Sequence, residues 1–212
     1  LFLSPVLRKH IYRRLSSSQR TRWHGHAATH FLAAQEPVAA ANHFISANEW
    51  GAAADVITKA ATTQINELNI DVLCNVLERF SDRDLPTSDW YGIQVLLSDL
   101  LVQSGLHDNA LRACRRALEA AETQTQRAKV YRRMGKLYEK HNQLHALGYY
   151  QQAVDGFSVS EPELLDLLKD RAWLYILRQE WQRAEKDLEF ALEQIRSPAK
   201  DQRADIFDAL ST

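Results

Sequence analysis

Along this 212-residue chain, pairs of alanines seven positions apart with a larger apolar side chain between them recur, and four such sets mark a repeat. The sets are Ala40/Phe44/Ala47, Ala110/Cys114/Ala117, Ala146/Tyr150/Ala153 and Ala184/Leu188/Ala191. The last three sets follow one another at a cadence of roughly 34 to 38 residues, the length of one helix pair in a repeat array. The first two sets stand about twice that far apart, with one weakly marked copy around positions 62–80 between them. Upstream of each set runs a second periodic stretch with a bulky residue in its third turn: Phe31, Leu101, Tyr138 and Tyr175. Seven positions are about two turns of helix, so both alanines share one face. Two small side chains there let a neighbouring helix approach closely, and the bulky residues fill the space beside the crossing. A single helix pair cannot bury its apolar face, so it needs stacked copies. The expected fold is all-α, a right-handed superhelical solenoid of antiparallel helix pairs.

The rest of the pattern agrees. Seven glycines and five prolines are too few for the turns of an all-β chain. Pro5, Pro37, Pro86, Pro162 and Pro198 each precede a helical stretch and interrupt none, which suits a residue that tolerates only the first helical turn. Ser4, Asp108 and Ser197 are expected N-caps and Gly105 a turn residue. Apolar stripes at three- and four-residue spacing run through Ile93, Leu96, Leu97, Leu100 and Leu101, and through Leu164, Leu165, Leu168, Ala172, Tyr175 and Ile176. Eleven or twelve helices are expected.

A formal net charge of −1 gives no bulk attraction for nucleic acid. Cys74 and Cys114 lie far apart in the sequence with no CxxC; they are expected to be buried thiols of a reducing compartment rather than a disulfide. No apolar run reaches the roughly 18 residues of a bilayer span. The chain opens on the apolar pattern LFLSPVL without a signal-peptide layout, and is expected to be an excised piece of a longer cytoplasmic protein. No GxxxxGK[ST] loop occurs; MGKLY has Val130 where the first glycine belongs. No Ser–His–Asp or Cys–His signature appears either. Neither catalysis nor a cofactor is expected.

The segment VYRRMGKLYEKHNQLHALGYYQQAV resembles the tetratricopeptide repeat (TPR), with Met134-Gly135 in place of Leu-Gly, then Tyr138, Ala146, Tyr150 and Ala153. Its turn is one residue shorter than the motif's. DRAWLYILRQEWQRAEKDLEFAL matches through Ala172, Tyr175, Trp181, Ala184 and Ala191, with Arg171 where leucine is usual. The likeness spans positions 88–198 and implies a binding scaffold. The N-terminal stretch from Leu3 to Ile57, with LSPVLRKHIYRRL, then Ala40, Ala41, His43 and Ala47, then NEWGAAADVI, is similar to the segment after the nucleotide-binding module of STAND-type ATPases, especially MalT-like (LuxR-family) transcription regulators. That resemblance implies a sensor arm controlling an upstream ATPase in the same parent chain. It divides the chain into a winged-helix tail (1–16), divergent Ala-rich repeats (17–85), TPR-like repeats (86–198) and the first helix of a truncated repeat (199–212). A free-standing TPR adaptor is the alternative.

His26 and His30 sit one helical turn apart beside His24, but no cysteine or nearby acid joins them; surface or interhelix histidines are expected, not a metal site. Arg8, Lys9, Arg13, Arg14, Arg20 and Arg22 form a basic stretch with no acid before Glu36. It suits phosphate contacts or, more simply, a solvated face or a surface for an upstream domain. Nucleic acid is not the expected partner, and no membrane role is expected. The candidate binding residues are Lys129, Arg132, Arg133, Lys136 and Trp173. On TPR geometry Arg132, Arg133 and Lys136 face the concave groove, and Trp173 holds the place of Lys136 in the next repeat. A cationic ridge beside an aromatic suits a protein or acidic peptide segment, or a small anionic inducer. The competing reading is a solvated ridge paired with Glu139, Asp166 and Asp170.

Overall fold

The computed structural model describes residues 5–63, 69–158 and 161–196. The expected caps Ser4 and Ser197, the helix after Pro198, and the truncated repeat 199–212 lie outside the described residues, as does part of the weak 62–80 copy. Among the described residues there are eleven helices and no strand. They are α1 (Pro5–Arg14), α2 (Ser17–Ala33), α3 (Pro37–Ser46), α4 (Trp50–Thr63), α5 (Ile70–Leu77), α6 (Thr87–Gln103), α7 (His107–Ala120), α8 (Gln124–Tyr138), α9 (Gln143–Gly156), α10 (Pro162–Leu177) and α11 (Trp181–Arg196). The chain forms two compact units that divide between Ala113 and Cys114, within α7.

Local chemistry explains where helices start. Pro5, Pro37 and Pro162 are first residues of α1, α3 and α10, and Pro86 caps α6. Ser16 and Thr123 build capping boxes with Gln19 and Gln126, and Asn69 and Asn142 accept amide N–H bonds at α5 and α9. Each satisfies amides that have no partner inside the helix. Asp108 differs from expectation. It is the second residue of α7, so it meets the positive end of the helix dipole without capping it.

Four turns close in the same way. The amides of Glu36, Glu49, Leu106 and Glu180 each donate to a carbonyl five positions back, on Phe31, Phe44, Leu101 and Tyr175, all at 2.9 Å. The residue before each donor is left-handed: Gln35, Asn48, Gly105 and Gln179, with φ between 59° and 74°. This is the six-to-one bond that ties off a helix C-terminus. The bulky marker residues thus also supply the carbonyls that turn the chain. The α8–α9 turn is tighter, with the amide of Asn142 donating to the Tyr138 carbonyl at 2.8 Å, in line with the residue missing there.

In the second unit, α8 and α9 are antiparallel. Tyr138 meets His145 at its closed end, and the backbone of Gly156 approaches Ala128 at the other. Between them, a Cβ built on Gly135 would lie 2.4 Å from the Tyr150 ring. Only glycine lets that fully buried ring pass. The Tyr150 hydroxyl donates to Glu139, and burial, then that bond, push the phenol far above its usual range. Ala128, Ala146, Ala153, Phe157, Leu164, Leu167, Leu168, Leu174 and Ala191 complete the core around it. Of the four marked sets, every alanine is buried, as are Phe44, Cys114 and Tyr150. Leu188 is the exception at 38% exposed, because no described helix covers that side of α11. Both cysteines are buried free thiols.

One core feature was not expected from the pattern. Arg171, in the motif's leucine position, is buried beside Asp187. Its Nε and Nη2 donate to the two carboxylate oxygens at 2.7 and 2.6 Å, and its Nη1 donates to Gln151 at 2.8 Å. Three helices, α9, α10 and α11, share this guanidinium. Burial works against its charge, but Asp187 outweighs that and holds the pKa above its ordinary value.

In the first unit, α2 packs on α3 and α3 on α4 and α5. A polar joint ties the start of this unit together. His24 Nδ1 lies 2.8 Å from His43 Nδ1, its Nε2 lies 2.9 Å from the Tyr12 hydroxyl, and Phe31 stacks on His43 with ring centroids 5.2 Å apart. Burial, then the charge of His24, lower the His43 pKa below 6.5. The fold therefore prefers neutral His43, and the unfolded chain takes its proton more readily. That stabilisation is complete above about pH 6.5 and is lost as pH falls through the depressed value. The melting temperature is expected to be lower at pH 5 than at pH 7.5, and His43→Phe is expected to shrink the difference. An equal pH difference in that variant assigns the dependence elsewhere.

Candidate binding face on α8 and α10

The helices α8 and α10 open consecutive repeats and are joined by a ladder of polar contacts. Thr125 donates to Glu161 at 2.8 Å, Lys129 pairs with Glu163 at 2.8 Å, and Arg132 and Lys136 both grip Asp170, at 2.9 and 2.7 Å. The partners in each rung are separated in sequence by one repeat length. Lys136 also reaches Glu139 at 3.1 Å, the residue that receives the Tyr150 hydroxyl bond. The face is thereby wired into the α8–α9 core.

Four of the five candidate residues, Lys129, Arg132, Arg133 and Lys136, come from α8, and Trp173 comes from α10. Lys129, Arg132 and Lys136 are held by Glu163 and Asp170 of α10, and Lys136 also by Glu139 at the C-cap of α8. Arg133 bends back, its Nη1 donating to the Lys129 carbonyl at 3.3 Å. Trp173 is 58% exposed. The pairing with Glu139 and Asp170 follows the sequence expectation, but Asp166 turns instead to Lys169 at 2.6 Å. Glu163, which sequence reasoning passed over, takes Lys129; its place one repeat length further along the chain was the available signal.

The electrostatics follow from this pairing. Burial disfavours the Lys136 charge, yet bonds to Asp170 and Glu139 prevail and raise its pKa. The bond from Lys129 lowers the pKa of Glu163, and that from Lys169 lowers the pKa of Asp166. The face therefore presents alternating, mutually neutralised charges rather than a bare cationic ridge. The exposed large apolar side chains of α10 are Trp173 and Leu177. Among the described residues no group of three His, Cys, Asp or Glu side chains is placed to hold a metal. His26 and His30 are exposed, while His24 is taken by His43. No described helix is long and apolar enough to cross a membrane.

This is a protein of paired antiparallel helices in TPR-type repeats, an all-α solenoid class. Among solved structures it is similar to MamA: one crystal structure matches at TM-score 0.60 with 16% identity, covering 85% of this chain and 94% of that one. MamA 41-end from Desulfovibrio magneticus RS-1 matches at TM-score 0.56 with 15% identity, covering 87% of this chain and all of the other. Identity at this level shows the shared fold alone. No family model matches the chain, and no curated protein does.

Proposed function

We propose that the chain is a protein-interaction scaffold that uses the α8–α10 face to bind a peptide segment of a partner, without chemistry of its own. The observation that carries this is Trp173, a large aromatic 58% exposed on α10, the helix whose Asp170 receives both Arg132 and Lys136. Tryptophan, tyrosine and arginine are the residue types most enriched among those that dominate binding energy once an interface buries them. Lys129, Arg132, Arg133 and Lys136 serve in this reading as the polar rim, and an acidic ligand gains them only by displacing Asp170 and Glu163. Mixed-charge peptides, which exchange ion pairs with the ladder, fit better than purely acidic ones.

The test is a screen of immobilised acidic and mixed-charge peptides against the chain and its Trp173→Ala variant. Bound peptides are expected to lose at least about tenfold in affinity, or ~1.4 kcal/mol, while the melting temperature stays put because the side chain is exposed. Unchanged affinity would sink the assignment. Arg132→Glu with Lys136→Glu is a poorer probe, since it sets two carboxylates against Asp170 and Glu139 and disturbs the ladder itself.

A narrower reading places this scaffold as the sensor arm of a STAND-type, MalT-like regulator, with an anionic inducer or an upstream nucleotide-binding domain as partner. It is supported by the Ala40-Ala41-His43-Ala47 pattern, whose alanines are buried against the first unit's core. A P-loop encoded upstream in the parent gene decides between arm and free adaptor.

A further inference from the structure

The helix α11 buries only one side. Ala184, Asp187 and Ala191 are its buried residues, and at about 100° per residue they fall within a sector of about 60°. Beside that sector run Leu188, Trp181 and Leu192, an apolar strip about 40° wide whose members are all exposed. Ile195 falls between the strip and the buried seam. Beyond the strip, Glu185, Glu189 and Glu193 form a ridge at four-residue spacing, and all three are exposed. Gln182 and the terminal Arg196 share the ridge sector, Lys186 follows it, and Phe190, Arg183 and Gln194 complete the far side. Among the described residues, then, an acid ridge borders the apolar strip on one flank and the α10 packing borders it on the other.

The chain itself supplies a matching strip. After Arg196 only Ser197 and Pro198 precede the stretch AKDQRADIFDAL, residues 199–210. Such a connector bridges at most about 11 Å, close to the distance between packed helices, so residue 199 must start beside the end of α11. Twelve helical residues rise about 18 Å, which returns residue 210 to the level of Glu185. At helical spacing Ile206, Phe207 and Leu210 share a sector of about 100°, with Ala199 and Arg203 inside it and Lys200 about 20° past Phe207. Asp201, Asp205 and Asp208 cluster on the opposite side, and Ala204, Ala209 and Gln202 fill the flanks. When two antiparallel helices face each other, the sectors that follow the contact, each counted from N- to C-terminus, lie on the same flank. The glutamate ridge follows the strip of α11, and Lys200 and Arg203 follow the centre of the strip on 199–210. Their stems can lie on apolar surface while the charged ends reach carboxylates. A second α11 laid antiparallel would instead set the glutamate ridge against itself, which like charges oppose.

We propose that the exposed strip of α11 is a docking surface for residues 199–210 of the same chain, which fold back on it as an antiparallel helix. Ile206, Phe207 and Leu210 meet Leu188 and Leu192, and Lys200 and Arg203 lie beside Glu185, Glu189 and Glu193. This contact is separate from the α8–α10 face and does not depend on it.

The readout must be local, because a terminal helix undocks without unfolding the repeats and leaves the global melting temperature in place. Hydrogen exchange is followed by mass spectrometry on the full chain and on a synthetic peptide of residues 199–212. A helix this short is marginal by itself in water, so slow exchange reports docking. The amides of 203–210 are expected to exchange at least about tenfold more slowly in the chain than in the peptide. Phe207→Asp/Leu210→Asp and, on the other side of the contact, Leu192→Asp are each expected to abolish that protection. Glu189→Lys/Glu193→Lys is expected to reduce it about threefold, and Asp205→Asn to leave it unchanged. Circular dichroism checks that the repeats keep their helicity in each variant. Exchange as fast in the chain as in the peptide overturns the proposal and leaves the strip to a separate partner. Protection that survives Leu192→Asp or the glutamate reversal places the segment elsewhere and also overturns it. Protection that rises with protein concentration assigns the strip to a second copy, with the same consequence.

Discussion

Asp187→Ala is expected to cost about 3–5 kcal/mol of stability, the largest effect of any single substitution considered for this chain. Removing the carboxylate strands the Arg171 guanidinium among α9, α10 and α11, with only Gln151 still accepting from it. A guanidinium cannot shed its proton to escape, so the penalty stays with the fold. The pair is not thereby a net source of stability, because desolvating two charges offsets most of their attraction. Arg171→Leu with Asp187→Leu is therefore expected to recover most of the loss, and to restore the leucine that the repeat motif carries there. Urea denaturation of the parent, the single and the double variant reads all three values. A single variant within about 1 kcal/mol of the parent would contradict the buried pairing.

Ala153→Arg is expected to cost about 2–4 kcal/mol. Ala153 has no exposed surface and sits in the core with Ala128, Tyr150 and Leu164. An arginine there must push neighbouring helices apart or bury a charge for which that apolar core provides no acid. The same denaturation curves read the cost, and an unchanged midpoint would mean that the helix crossing lies elsewhere.

Much of the architecture was legible in the sequence because the alanine spacing has one cause, close helix approach, and leaves few alternatives. Proline positions told where helices begin for a similarly local reason. Turn closure was harder to read. Gly105 announces a left-handed residue, but Gln35 and Gln179 occupy the same slot, and glutamine carries no such signal. Arg171 was visible only as a departure from a motif; its partner sits on the next helix, and charge alone does not choose among the acids of α11. For the proposed face, the spacing of the charged ladder was readable, since equivalent helices lie one repeat apart. Which acid each cation takes depended on rotamers, and Glu163 rather than Asp166 met the ridge. His43 gave no warning that it would pair with His24, because that contact depends on how α2 turns against α3.

The whole description depends on small side chains lying at the helix crossings. The most direct measurement is a set of melting temperatures for arginine placed at Ala117, Ala153, Ala184, Ala191 and, as the contrasting site, the partly exposed Leu188. The expected result is a clear fall at all four alanines and a change within error at Leu188. Alanine sites that accept arginine as readily as Leu188 does would contradict the register of the repeats.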